Sequence, residues 1–215
     1  MTKLTSRNGE LEFGPGLPTM LINDQLRVMD QSPEVLEELK AGKIEKLLEL
    51  ARLGAEVGTD AVDILINHPD LDEAALLPKI AIAVHEEIGC PISLDSRDPE
   101  ALHTALAALQ PYKALINSIT AEAETMDALL PIAAEFNAAI VGMPIGDIHG
   151  IPKDVDGRVT EAQVLIEAAA DYGIPREDIV MDAICLASSA EPGSMMVTLK
   201  TLQAFHEELD VATTL

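Results

Sequence analysis

Pro91-Ile92-Ser93-Leu94-Asp95-Ser96 is a short apolar run that ends in a carboxylate. A helix-like segment closed by Gly89 precedes it. Asp98-Pro99-Glu100, a helix-opening signature, follows it. The run therefore reads as a buried strand between two helices, with its acid at the carboxyl end. In parallel α/β folds, ligands bind at that end of the strands. Two further stretches repeat the design. Lys113-Ala114-Leu115-Ile116 ends in Asn117, and Ile179-Val180-Met181 ends in Asp182. Asp95, Asn117 and Asp182 are thus expected to deliver three hydrogen-bonding side chains to one face.

Working outward, the same period holds. Residues 1–18 are polar and rich in Gly and Pro, and are expected to be a loose lead-in. The domain proper is set at 19–215. Thr19 to Ile22 reads as the first strand, reaching Asn23 and Asp24. Ser32-Pro33-Glu34 opens a helix, and Ala41-Gly42 interrupts it. Lys43 to Val57 continues at helical spacing, and Gly58 stops it. Ala61 to Ile66 is the second strand, with Asp63 inside it. Helices are expected over 72–88, 99–109 and 121–136, the last accommodating Pro131 by a kink or break. Ala138 to Met143 is a fifth strand. Thr160 with Gln163 has the capping-box pattern, and a last helix is expected within 190–209. Strand–helix units recur without hairpin neighbours, which predicts a parallel sheet with right-handed crossovers. The fold class is α/β, a (β/α)8 TIM-barrel type. The chain reaches Leu215 as a seventh strand begins, so six units are expected where a whole barrel takes about 250 residues.

Composition bounds the function. The chain has 215 residues, 48% hydrophobic but only 2% aromatic, so its core is aliphatic, as suits a helix-wrapped parallel sheet. A net charge of -23 argues against nucleic acid and anionic membrane as partners. No run reads as a membrane span or signal peptide. Cys90 and Cys185 lack metal-type spacing, so a reduced, cytoplasmic protein without a metal site is expected. There is no phosphate-binding glycine loop and no nucleophile elbow. Asp95, Asn117 and Asp182 suit a heterocycle with an amidine-like edge, whose adjacent donors pair with a carboxylate. Taken singly, each of the three also fits a role as a loop cap.

At these residues the chain resembles a known family. Ser93-Leu94-Asp95-Ser96, Lys113 to Thr120, Gly150-Ile151-Pro152-Lys153 and Gly173 to Asp182 are similar to segments of the methyltetrahydrofolate:corrinoid methyltransferases. Those enzymes are pterin-binding barrels related to dihydropteroate synthase. The resemblance implies transfer of the N5-methyl group of methyltetrahydrofolate to the Co(I) corrinoid of a partner protein, by a homodimer. It assigns Asp95, Asn117 and Asp182 to catalysis through the pterin ring. It places Ser96, Ser118, Gly142, Met143 and Asn23 with them at the substrate. The family departs from this chain at its first strand, Ile22 to Arg27, and at Leu65, where it has Asn. Its seventh strand also supplies an Asn that would follow Thr213-Thr214-Leu215. Without that Asn, weak pterin binding, slow transfer, or pairing of the open strand edges in an oligomer is expected. The competing expectations are a non-catalytic pterin-binding subunit and dihydropteroate synthase.

Overall fold

The computed structural model describes residues 1–187, 189 and 191–215. Its contacts divide the chain into two units. The first holds Lys3–Leu11 and Thr19–Asn117, and the second Met1–Thr2, Glu12–Pro18 and Ser118–Leu215. Strands and helices alternate after residue 18. Seven strands take chain order in one sheet, and neighbouring strands within each unit pair in parallel.

The expected loose lead-in is instead ordered. β1 (Thr2–Ser6) and β2 (Gly9–Phe13) form a two-stranded sheet. Thr2, Leu4 and Ser6 are buried while Lys3 and Thr5 are half-buried, the period of a strand with one face covered. The turn falls at Arg7-Asn8, and Gly9 takes φ +123°, which favours glycine. Thr5 N donates to Lys113 O at 3.1 Å, and Asn8 N donates to Gly89 O at 3.2 Å. The hairpin is thereby tied to residues just before β5 and β6, at the amino ends of those strands. Neither bond touches their carboxyl ends.

In the first unit, β3 (Ile22–Arg27) starts at the residue where the sequence reading ends its strand. Its pairing with the next strand shifts between Asn23 and Leu26. α1 (Pro33–Lys40) has Ser32 at its N-cap position and Pro at its start, as expected, and gives way at Ala41-Gly42 to α2 (Glu45–Glu56). β4 (Ala61–Leu65) is buried on both faces. α3 (Glu73–Ile88) is capped by Asp72, whose carboxylate accepts from Ala75 N at 3.1 Å, and ends on Gly89 at φ +77°. β5 (Ile92–Asp95) and α4 (Pro99–Leu109) fall where the sequence puts them, with Asp98 capping the helix. Ile64, Ile66, Leu77, Leu94 and Leu102 are fully buried. Each such side chain contributes about 1.5–3 kcal/mol.

β6 (Leu115–Ala121) leaves the first unit at Asn117. In the second unit, α5 (Ala123–Glu135) keeps Pro131 inside the helix rather than breaking at it. β7 (Ala139–Gly146) runs three residues past the expected end. α6 (Val155–Asp171) corrects the capping-box expectation. Asp154 caps it, accepting from Gly157 N at 2.8 Å, and Thr160 lies a turn inside, donating back to Asp156 O. β8 (Ile179–Asp182) is as expected. The last helix, expected within 190–209, is α7 (Ser194–Ala204), followed by a π turn at Phe205–Leu209. Ala190 lies outside the described residues. β9 (Ala212–Thr214) pairs with β8, matching Asp182 to Thr214.

Candidate active site

Strand register builds the site in the first unit. Arg27 of β3 is level with Leu65 of β4, Leu65 with Asp95 of β5, and Asp95 with Asn117 of β6. This row crosses four strands at their carboxyl ends. Because strand side chains alternate, the residues two positions back share its face. There Asp63 of β4 is level with Ser93 of β5.

Two layers result. In the lower one, Asp63 is 3% exposed, and its Oδ1 accepts from Ser93 Oγ at 2.5 Å and from Asn117 Nδ2 at 3.1 Å. Burial raises its carboxyl above the ordinary carboxylate value, and the two hydrogen bonds oppose that rise. In the upper layer, Asp95 is half-buried. Among the described residues no side chain donates to it. Burial pushes its carboxyl up to about 6, helped by the Asp63 charge, while Arg27 and Arg97 pull it down. With Asn117 Nδ2 committed to Asp63, the oxygen of that amide is left over. The Asp95 carboxylate and the Asn117 amide oxygen therefore stand level as two acceptors, while Arg27 at the other end of the row pairs with Asp30 at 3.3 Å. The chemistry of the two acceptors suits a planar ligand edge rich in N–H groups.

The remaining expected residues divide. Ser96 is 3% exposed. Its hydroxyl donates to Glu73 and accepts from Asp98 N at 3.1 Å, so it is occupied in holding the loop after β5 to the start of α3. Asn23 is 5% exposed and lies near the start of β3, level with Val62. Its amide packs against Gly54 of α2, and its oxygen accepts from Gln25 N at 3.0 Å. It packs on the helix side, against α2, and not in the acceptor row. The reason is the later start of β3, which leaves Asn23 low on the strand. Asp63 was noted in its strand but not placed in the site. Its signal was a lone carboxylate in an otherwise apolar run, which must find buried donors.

The second unit carries Ser118, Gly142, Met143 and Asp182. Ser118 follows Asn117 in β6 and is therefore on the opposite strand face, buried. A Cβ at Gly142 would stand 2.7 Å from Met181 Sδ and 3.1 Å from Leu165 of α6, so that position faces the helix. Gly142 is level with Met181. Met143 and Asp182, each one residue on, share the other face. Asp182 Oδ1 accepts from Ile184 N at 2.6 Å. Burial raises its carboxyl, and that bond and the Arg158 charge hold the rise back. Arg158 is 1% exposed and was also missed. Its guanidinium donates to Ala183 O at 2.6 Å, Ile184 O at 3.0 Å and Pro152 O at 3.3 Å, fixing the segment after Asp182. Among the described residues no cluster of His, Cys, Asp or Glu is arranged to hold a metal, and no helix is long and apolar enough to cross a membrane.

Parallel strand–helix units with acids at the strand ends define an α/β barrel-type enzyme scaffold. Residues 32–215 match the pterin-binding enzyme family, and the chain belongs to it. It is 29% identical over 155 residues to the methylcorrinoid:tetrahydrofolate methyltransferase of Eubacterium limosum. That match covers 71% of this chain and 56% of the relative's length. Among solved structures, 99% of the chain superposes on 77% of the dihydropteroate synthase of Vibrio fischeri ES114, with TM-score 0.69 and 20% identity. The same share superposes on 77% of the dihydropteroate synthase of Coxiella burnetii in complex with pteroic acid, with TM-score 0.66 and 16% identity. These likenesses establish a dihydropteroate synthase-like, TIM-barrel type of fold.

Proposed function

We propose that the chain binds the pterin ring of a tetrahydrofolate and takes part in methyl transfer between its N5 and the cobalt of a corrinoid carried by a partner protein. The observation that carries this reading is the acceptor row. Asp95 is a half-buried carboxylate with no donor from the described side chains, level with the free amide oxygen of Asn117. A covered acid without a donor is costly unless a ligand supplies one. The 2-amino and ring N–H groups of a reduced pterin are such donors.

In this reading the chemistry is displacement at a methyl carbon. In one direction Co(I) attacks the N5-methyl group, the N5–C bond breaks, and N5 gains a proton. In the other, N5 loses its proton and attacks the methyl carried by cobalt. Both directions share one transition state, so the same residues serve each. The Eubacterium limosum relative is named for transfer from methylcorrinoid to tetrahydrofolate. The protein's share is to hold the ring and stabilise the charge that develops at N5 through hydrogen bonding, and no covalent enzyme intermediate arises. A cytoplasmic homodimer working with a corrinoid protein completes the proposal.

The test follows the absorbance of cobalamin. Free cob(I)alamin with methyltetrahydrofolate, and methylcobalamin with tetrahydrofolate, are each incubated with the chain. Spectral conversion that depends on Asp95 supports the proposal. Conversion unaffected by Asp95→Ala overturns it.

A further inference from the structure

Asp63 is covered to within 3% of its surface and lies one layer below the ligand-facing row. Its hydrogen bond to that row is made through Asn117, and its charge is also felt by Asp95. A side-chain amide has a donor end and an acceptor end, whereas a carboxylate accepts only. Asp63 Oδ1 takes the Nδ2 end of Asn117 at 3.1 Å. The hydroxyl of Ser93 donates to the same oxygen at 2.5 Å and holds the carboxylate in place. The amide of Asn117 is thereby turned so that its oxygen is the end left for a ligand.

We propose that Asp63 is a positioning residue: by fixing the amide of Asn117 it sets that amide's oxygen level with the Asp95 carboxylate as a second acceptor, and so sets selectivity for a donor-bearing heterocycle edge over its oxo counterpart. The inference rests on the pterin reading and deepens it. A residue that merely supported the fold would weaken binding of related ligands alike. A residue that sets amide polarity changes the ratio between them.

Calorimetric titration with two probes tests this. Pterin carries an amino group at position 2, and lumazine carries oxygen there. The wild-type chain is expected to prefer pterin. Asp63→Ala is expected to cut that preference by about tenfold, the scale of one hydrogen bond lost to a mismatched group. Asn117→Ala should cut it similarly, and adding Asp63→Ala to Asn117→Ala should change it no further. An unaltered preference in Asp63→Ala, or an equal further loss in the double variant, overturns the inference. Should Asp63→Ala fail to melt cooperatively, Asp63→Asn decides. It keeps the volume but offers Asn117 a partner of either polarity, and a drop of at least about threefold is expected. An unchanged preference there overturns the inference. Wild-type protein that binds neither probe removes the pterin reading itself, a different failure from binding without selectivity.

Discussion

Replacing Asp95 with Asn removes a charge that folding holds in an unfavourable place. Burial, with the neighbouring Asp63 charge, lifts the Asp95 carboxyl from an ordinary 3.8 to about 6. Two units at about 1.4 kcal/mol each bound the cost near 3 kcal/mol, and partial exposure screens this to about 1–2 kcal/mol. The sign follows from proton counting. Between 3.8 and about 6 the folded chain keeps a proton that the unfolded chain has released. Stability from this group is therefore full at low pH, falls as pH rises through that window, and stays low above it. Asp95→Asn does not titrate and escapes the loss. Scanning calorimetry at about pH 7.5 should find the variant melting roughly 3–6 °C higher than wild type. The gap should shrink to about a third near pH 4.5. The same variant should lose pterin affinity, since a charged acceptor becomes a neutral amide. A variant no more stable than wild type near pH 7.5, or a gap independent of pH, would refute the electrostatic argument.

Three further outcomes follow from the same geometry. Pterin affinity should be level above about pH 7 and fall by up to about tenfold per unit below about 6, as Asp95 gains its proton and ceases to accept. A titration series in pH checks this, and affinity that rises on acidification contradicts it. Gly54→Ala should destabilise the chain by about 1–3 kcal/mol in urea unfolding, because its Cβ would stand 2.0 Å from the Asn23 amide. Asn23→Ala in the same chain should recover part of the loss, and strict additivity would speak against the contact. Arg158→Met should cost about 2–3 kcal/mol by leaving the carbonyls of Ala183 and Ile184 without their donor. An unchanged urea midpoint would show that the segment after Asp182 does not need that guanidinium.

The strands that carry Asp95, Asn117 and Asp182 were legible because each is a run buried on both faces and bounded by helix signals. α3 and α4 were legible through Asp72, Gly89 and Asp98, whose caps depend on neighbours only a few residues away. What escaped depends on distant partners. The β1–β2 hairpin is held by Lys113 and Gly89, and the polar run around Asn8-Gly9 masked the alternation of Thr2, Leu4 and Ser6. The expected first strand, Thr19 to Ile22, ends where β3 begins, because Asn23, Asp24 and Gln25 interrupt the apolar run. The absence of a side chain at Gly54 makes room for the buried Asn23, and no local pattern announces this. Val155 starts α6 because Asp154 is a better-placed cap than Thr160. Asp63 was visible as a residue, but its role lies in cross-strand register, which brings it level with Ser93 and within reach of Asn117.

The central claim is that the row at Asp95 and Asn117 is a pterin site. Calorimetric titration of methyltetrahydrofolate into the wild-type chain and into Asp95→Ala, with a cooperative melt recorded for both, tests it most directly. Saturable binding that Asp95→Ala weakens by more than about 2 kcal/mol, the scale of a charge-assisted hydrogen bond, is the predicted result. Equal binding by the two folded proteins, or no binding by wild type, would contradict it.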